Sequence, residues 1–126
     1  SQGPSKDFFT TTYEEQYGSQ PATPFMEQSW DAAAVMLLAN AAAGENSGPA
    51  IRDNMNRVAN GPGTEVTAEN LPEGLEMAAR GEDINYQGAS GAVTFDDAGD
   101  TAAASYELYR YQQGGLETVD EIEFSA

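Results

Sequence analysis

The sequence predicts an α/β chain, helices first and a few strands at the end. Up to about residue 80, apolar residues recur at helical spacing between cap and breaker residues. Beyond Gly81 the spacing shifts to alternation, the mark of a strand. The length of 126 residues suits a single domain. The expected organisation is therefore a mainly helical segment, 1–80, and a strand-rich segment, 81–126.

The first helix is expected within SKDFFTTTYEEQYG, with Ser5 as N-cap and Gly18 as stop, and Phe8, Phe9, Tyr13 and Tyr17 near one face. Pro21 and Pro24 mark a turn. FMEQSWDAAAVMLLANAAAG follows as the strongest helix, ended by Gly44 and apolar nearly all round from Ala32 to Ala39, the pattern of a buried helix. A third helix starts at Ser47 or Gly48, with Pro49 in its first turn and Ile51, Met55 and Val58 as its stripe. Gly61-Pro62-Gly63 closes it. A fourth carries Leu71, Leu75 and Ala78 or Ala79, with Pro72 in its first turn. Strands are expected at GAVTFD (91–96), ASYELYRYQ (104–112) and GGLETVDEIEFS (114–125), with Gly114-Gly115 as a turn.

Charge narrows the function classes. Twenty-one Asp and Glu face five Lys and Arg, a net charge of −16. Such a surface repels phosphate backbones, so neither nucleic acid nor anionic lipid is an expected partner. Leu, Ile, Val and Phe total 19 residues, a low count offset by 20 Ala and six Tyr. Many carboxylates, a single lysine and small apolar side chains fit a folded protein of a halophilic source; an ordinary acidic protein is the alternative. At about 1 M salt the Debye length is roughly 3 Å, which screens most of the self-repulsion.

The chain has no Cys and no His. That removes disulfides, thiolate metal sites and the commonest general base near neutral pH. The stretch GEDINYQGASGAVTFDDAGD is dense in glycine and carboxylate, yet Asp96, Asp97 and Asp100 lack the spacing of a calcium loop. They read as turn residues in an acid-rich chain. No nucleophile elbow or phosphate-binding loop is present. No catalytic residue, metal or cofactor is therefore expected, and the chain is read as non-enzymatic. Phe25 and Trp30 flank the start of the second helix after a proline turn. They are read either as core packing or as the apolar wall of a small-ligand site.

Four motifs in order carry a resemblance. Gly91, Val93, Phe95-Asp96, Gly99-Asp100, Tyr106 and Tyr109 are similar to the closing signature of the type I periplasmic-type solute-binding proteins, the extracellular ligand-binding receptors typified by branched-chain amino acid transport. SWDAAAVMLLANAAAG resembles that family's Y-D-A helix, with Trp30 where Tyr is usual. Phe9, Tyr13, Tyr17-Gly18 and Pro21 resemble its F-x-x-x-Y-x-x-x-Y-G-x-x-P stretch, and the helices between agree in order. The resemblance implies the C-terminal portion of a two-lobed type I periplasmic-binding-protein fold. It also implies an amino acid-like ligand, the remainder of the same binding protein and an ABC permease as partners, and an extracellular, cell-surface location. A ligand-sensing receptor domain or a surface-assembly fragment are the alternatives. Phe25 carries over as a ligand contact, and Trp30 stands beside it. The chain opens without Met or a signal peptide, so a processed chain or fragment is expected. The Ala-rich helix calls for a sheet this segment does not supply, or for self-association.

The charge pattern sets a first test. Melting temperature, followed by circular dichroism, is expected to rise as salt goes from dilute to molar; a flat or falling trend would remove the halophilic reading.

Overall fold

The computed structural model describes residues 3–125. Four helices, α1 (Lys6–Tyr17), α2 (Met26–Ala43), α3 (Gly48–Ala59) and α4 (Leu71–Ala79), combine with four strands, β1 (Thr64–Val66), β2 (Ile84–Tyr86), β3 (Ala103–Gln112) and β4 (Gly115–Ser125). The class is mixed α/β, but the helices do not all precede the strands. β1 runs parallel to β2, with Thr64 opposite Ile84 and Val66 opposite Tyr86, and α4 is the crossover between them. A parallel pair needs such a connection, because a tight turn reverses the chain. Each strand is three residues long, too short to show alternation in sequence. Their signals are β-branched or aromatic residues beside glycine turns: Thr64 and Val66 after Gly63, Ile84 and Tyr86 after Gly81.

The strand expected at 91–96 does not form. This segment makes only isolated bridges, Gln87 with Ala92 and Phe95 with Thr101. A side chain takes the place of a neighbouring strand: Asn60 Nδ2 donates to the Phe95 carbonyl at 2.6 Å, and the Phe95 N–H donates to Asn60 Oδ1 at 2.9 Å. With both backbone groups of Phe95 satisfied this way, no ladder is needed there.

The caps follow the sequence closely. Gly18 and Gly44 end α1 and α2 in left-handed conformations, φ 72° and 64°. Ser47 caps α3, its hydroxyl accepting from the Ala50 N–H at 3.3 Å. Ser5 stands at the start of α1 but does not cap it. Its hydroxyl donates to the Gln87 carbonyl at 2.6 Å and accepts from the Ala68 N–H at 2.8 Å. It thereby ties the start of the chain to the segments just beyond β1 and β2.

The core gathers Ala34, Val35, Leu38 and Ala39 of α2, Val58 and Ala59 of α3, Val66, Ala78, Ile84 and Tyr86. α2 is covered on one side only. Ala34, Val35, Leu38 and Ala39 are buried, while Ala32, Ala33, Met36 and Leu37 face outward, with Met36 at 49% and Leu37 at 53% exposure. The helix that reads as apolar all round thus keeps one apolar stripe uncovered.

β3 and β4 form an antiparallel hairpin with a bulge at Leu108/Tyr109. Its turn is Gln113-Gly114, at φ 51° and 81°, one residue earlier than the sequence suggests. Paired positive φ values match the right-handed twist of the flanking strands. Tyr106, Leu108, Tyr111, Leu116, Ile122 and Phe124 are all exposed on it. No helix among the described residues is long and apolar enough to cross a membrane.

Gly74 decides how closely α4 approaches β1. A Cβ built on it would lie 2.4 Å from Val66 Cγ1. Gly→Ala ordinarily favours a helix by up to about 1 kcal/mol. Here Gly74→Ala is expected to destabilise instead, by about 1–3 kcal/mol through overpacking. Chemical denaturation reads the sign directly.

Candidate functional site

The site grows from the N-terminal end of α2. Asp31 is buried, 3% exposed, in the first turns of the helix. Its Oδ1 accepts from the Tyr86 hydroxyl at 2.9 Å and the Ala89 N–H at 2.8 Å. Its Oδ2 accepts from the Ser90 N–H at 2.8 Å and the Ser90 hydroxyl at 2.5 Å. Four donors offset the loss of hydration that a buried carboxylate suffers. Burial, then the adjacent Asp31 charge, pushes the Tyr86 hydroxyl well above the usual tyrosine range, so it stays a proton donor. Gly88 makes room for this arrangement: a Cβ there would lie 2.4 Å from Asp31 Oδ2. The knot holds the segment after β2 against α2.

Phe25 occupies the N-cap position of α2 with left-handed backbone angles, φ 69° and ψ 14°. For a residue with a Cβ this conformation costs roughly 1–2 kcal/mol. The residue is 73% exposed, so it packs into no core of this segment. Trp30 lies one turn further on, half-buried, its ring centroid 5.7 Å from that of Phe9. Phe9 in turn lies 6.0 Å from Tyr13, and Tyr13 lies 4.6 Å from Tyr17. The Trp30 indole N–H is buried beside the Tyr86 hydroxyl without a hydrogen bond of ordinary geometry.

Two concavities meet at Phe25. The first, about 560 Å³, lies between α1 and the start of α2; Phe9, Tyr13, Tyr17, Phe25 and Trp30 form its aromatic wall, and no charged side chain lines it. The second, about 800 Å³, lies between α2, the 90–95 segment and the base of the β3–β4 hairpin; Phe25, Ser90, Tyr106 and Phe124 line it together with the carboxylates Asp31 and Glu123. The structure brings Phe25 and Trp30 together on the first cavity, and among the described residues Phe25 alone borders both. Sequence reading missed Asp31, Ser90 and Glu123. The Trp30-Asp31-Ala32 motif pointed at the first of these, but in a chain with 21 carboxylates the acid itself carried little signal.

Asp96 organises the acidic loop. Its Oδ1 accepts from the Ala98 and Asp100 N–H groups, each at 2.9 Å. The loop is a turn closed by its own aspartate. Among the described residues, no cluster of three acidic side chains is placed to hold a metal ion.

A family model described as the receptor family ligand binding region matches residues 2–114. The chemotactic signal transduction system substrate-binding protein BasB of Halobacterium salinarum is 29% identical over 98 residues, which cover 78% of this chain and 24% of that protein. The chain thus spans about a quarter of the length of this haloarchaeal relative. No solved structure matches.

The knot sets the test for this geometry. Asp31→Asn replaces an oxygen that accepts two hydrogen bonds with an amide that donates. A loss on the order of 3 kcal/mol is expected in denaturant unfolding, the scale of broken charge-assisted bonds with buried donors left unpaired.

Proposed function

This chain belongs to the receptor family ligand binding region, and from that premise we propose that it forms the C-terminal portion of a two-lobed protein that binds a small amphipathic solute without altering it. A branched-chain amino acid or a close analogue is the ligand class. The observation that carries this reading is the position of Phe25, an exposed aromatic ring between an uncharged aromatic groove and a cavity bearing carboxylates. Ligand sites are mostly apolar with a few polar groups that set orientation. An apolar side chain suits the first cavity, and an ammonium group suits the side of Glu123. The remaining contacts belong to the rest of the binding protein, which also covers the outward stripe of α2.

Binding between two lobes favours the closed state by its differential affinity, and a partner reads that state. The resemblance to branched-chain amino acid transport proteins supports an ABC permease as that partner. The role named for the haloarchaeal relative, in chemotactic signal transduction, supports the second reading, a signalling partner. Both readings imply a protein outside the cell, at its surface. Adjacent genes separate the two: permease and ATPase genes favour import, and a transmembrane transducer gene favours sensing.

In the full-length protein, Phe25→Ala is expected to weaken leucine binding about tenfold, equivalent to about 1.4 kcal/mol, with little change in melting temperature. Isothermal calorimetry in molar salt measures it, and an unchanged affinity removes Phe25 from the site.

A further inference from the structure

The conformation of Phe25 is unusual for a helix start. N-cap residues ordinarily have extended backbone and are Ser, Thr, Asp or Asn. Ser47, at the start of α3, has that form, with φ −141° and ψ 148°. Phe25 departs from it in both residue type and backbone. Among the described residues the other non-glycine with positive φ is Gln113, at 51°, in a hairpin turn whose two central positions require it. Phe25 lies outside any hairpin turn, directly before α2. Nor does burial within this segment offset the strain, because the residue is mostly exposed.

One neighbour bonds the Phe25 carbonyl twice. The Phe25 carbonyl accepts from the Ser29 N–H at 2.9 Å and from the Ser29 hydroxyl at 2.8 Å. The first is the opening bond of the helix. The second is an added clamp, a serine side chain bonding back one turn. Strained backbone persists where its surroundings over-determine it, and it collects at ligand sites.

We propose that Ser29 is a positioning residue, clamping Phe25 in a left-handed backbone so that its ring stands between the two cavities at a cost in stability. The inference rests on the reading of Phe25 as a ligand contact. It adds that the helix start gives up stability to aim that ring. The competing account is that Pro24 and the chain reversal after α1 dictate the backbone, with the ring incidental.

The test uses the full-length protein in molar salt, with leucine as probe in calorimetry and melting followed in parallel. Phe25→Gly relieves the strain and removes the ring. It is expected to raise the melting temperature by about 2–4 °C and to weaken leucine binding at least about tenfold. Phe25→Ala keeps the Cβ and the strain, so it weakens binding without that gain. Ser29→Ala is expected to weaken binding roughly 3- to 10-fold when Phe25 is present and no further in the Phe25→Ala background, as coupled residues behave in a double-mutant cycle. Ser29→Thr, which retains the hydroxyl, should bind nearly as the parent does.

A melting temperature unchanged or lowered by Phe25→Gly overturns the strain. Equal losses from Ser29→Ala in both backgrounds overturn the positioning role, since Ser29 would then act on its own. If Phe25→Ala weakens binding and Ser29→Ala does not, the positioning role falls and the ligand contact stands. If Phe25→Ala leaves binding unchanged, the contact and the positioning role fall together.

Discussion

The buried carboxylate of Asp31 is the constraint on which the rest of this structure depends. It sits near the start of α2 and takes four hydrogen bonds from Tyr86, Ala89 and Ser90. That joins the helix carrying Phe25 and Trp30 to the segment that forms the far wall of the second cavity. A methyl group at Gly88 would collide with the same carboxylate, so a glycine there is part of the join. Ser5 makes a second, smaller link nearby, bridging the Gln87 carbonyl and the Ala68 N–H. Between them, two polar side chains set how α1, α2 and the β1–α4–β2 unit lie together. Apolar burial supplies the driving force, but it is non-directional.

The acidic residues thus take three separate roles. Asp31 is the one buried carboxylate among the described residues, and screening by salt touches it little. The others lie nearer the surface, where added salt damps their repulsion. Asp96 shows a third, local use, closing its own turn. Against this background the groove between α1 and α2 stands out because no charged side chain lines it. A chain that is acidic over most of its length leaves one aromatic concavity neutral, beside a cavity that does carry acid. Two chemically distinct environments lie within the reach of one phenylalanine ring.

Much of this could be read from residue order. The helices, the glycine stops at Gly18 and Gly44, the Ser47 cap and the closing hairpin all rest on interactions between residues a few positions apart, and those leave local marks. That Phe25 and Trp30 flank a helix start was visible for the same reason, since a proline turn and a helix start lie side by side in sequence; their meeting with Phe9 was not. The family resemblance added the order of four motifs, and the family is the one the chain belongs to.

What only the tertiary structure decided lies between distant residues. Ser5 reads as a helix cap, yet it bonds to Gln87, 82 positions away. Asp31 reads as one acid among many, yet it is satisfied by groups 55 to 59 positions on. GAVTFD alternates like a strand, but Asn60, 35 residues earlier, occupies the backbone of Phe95. Two three-residue strands escape periodicity altogether, because a pattern of period two needs more than three residues to show. Local spacing determines which elements can form. Which polar groups meet inside is settled when those elements pack, since a buried donor or acceptor must find its partner wherever in the chain one is available.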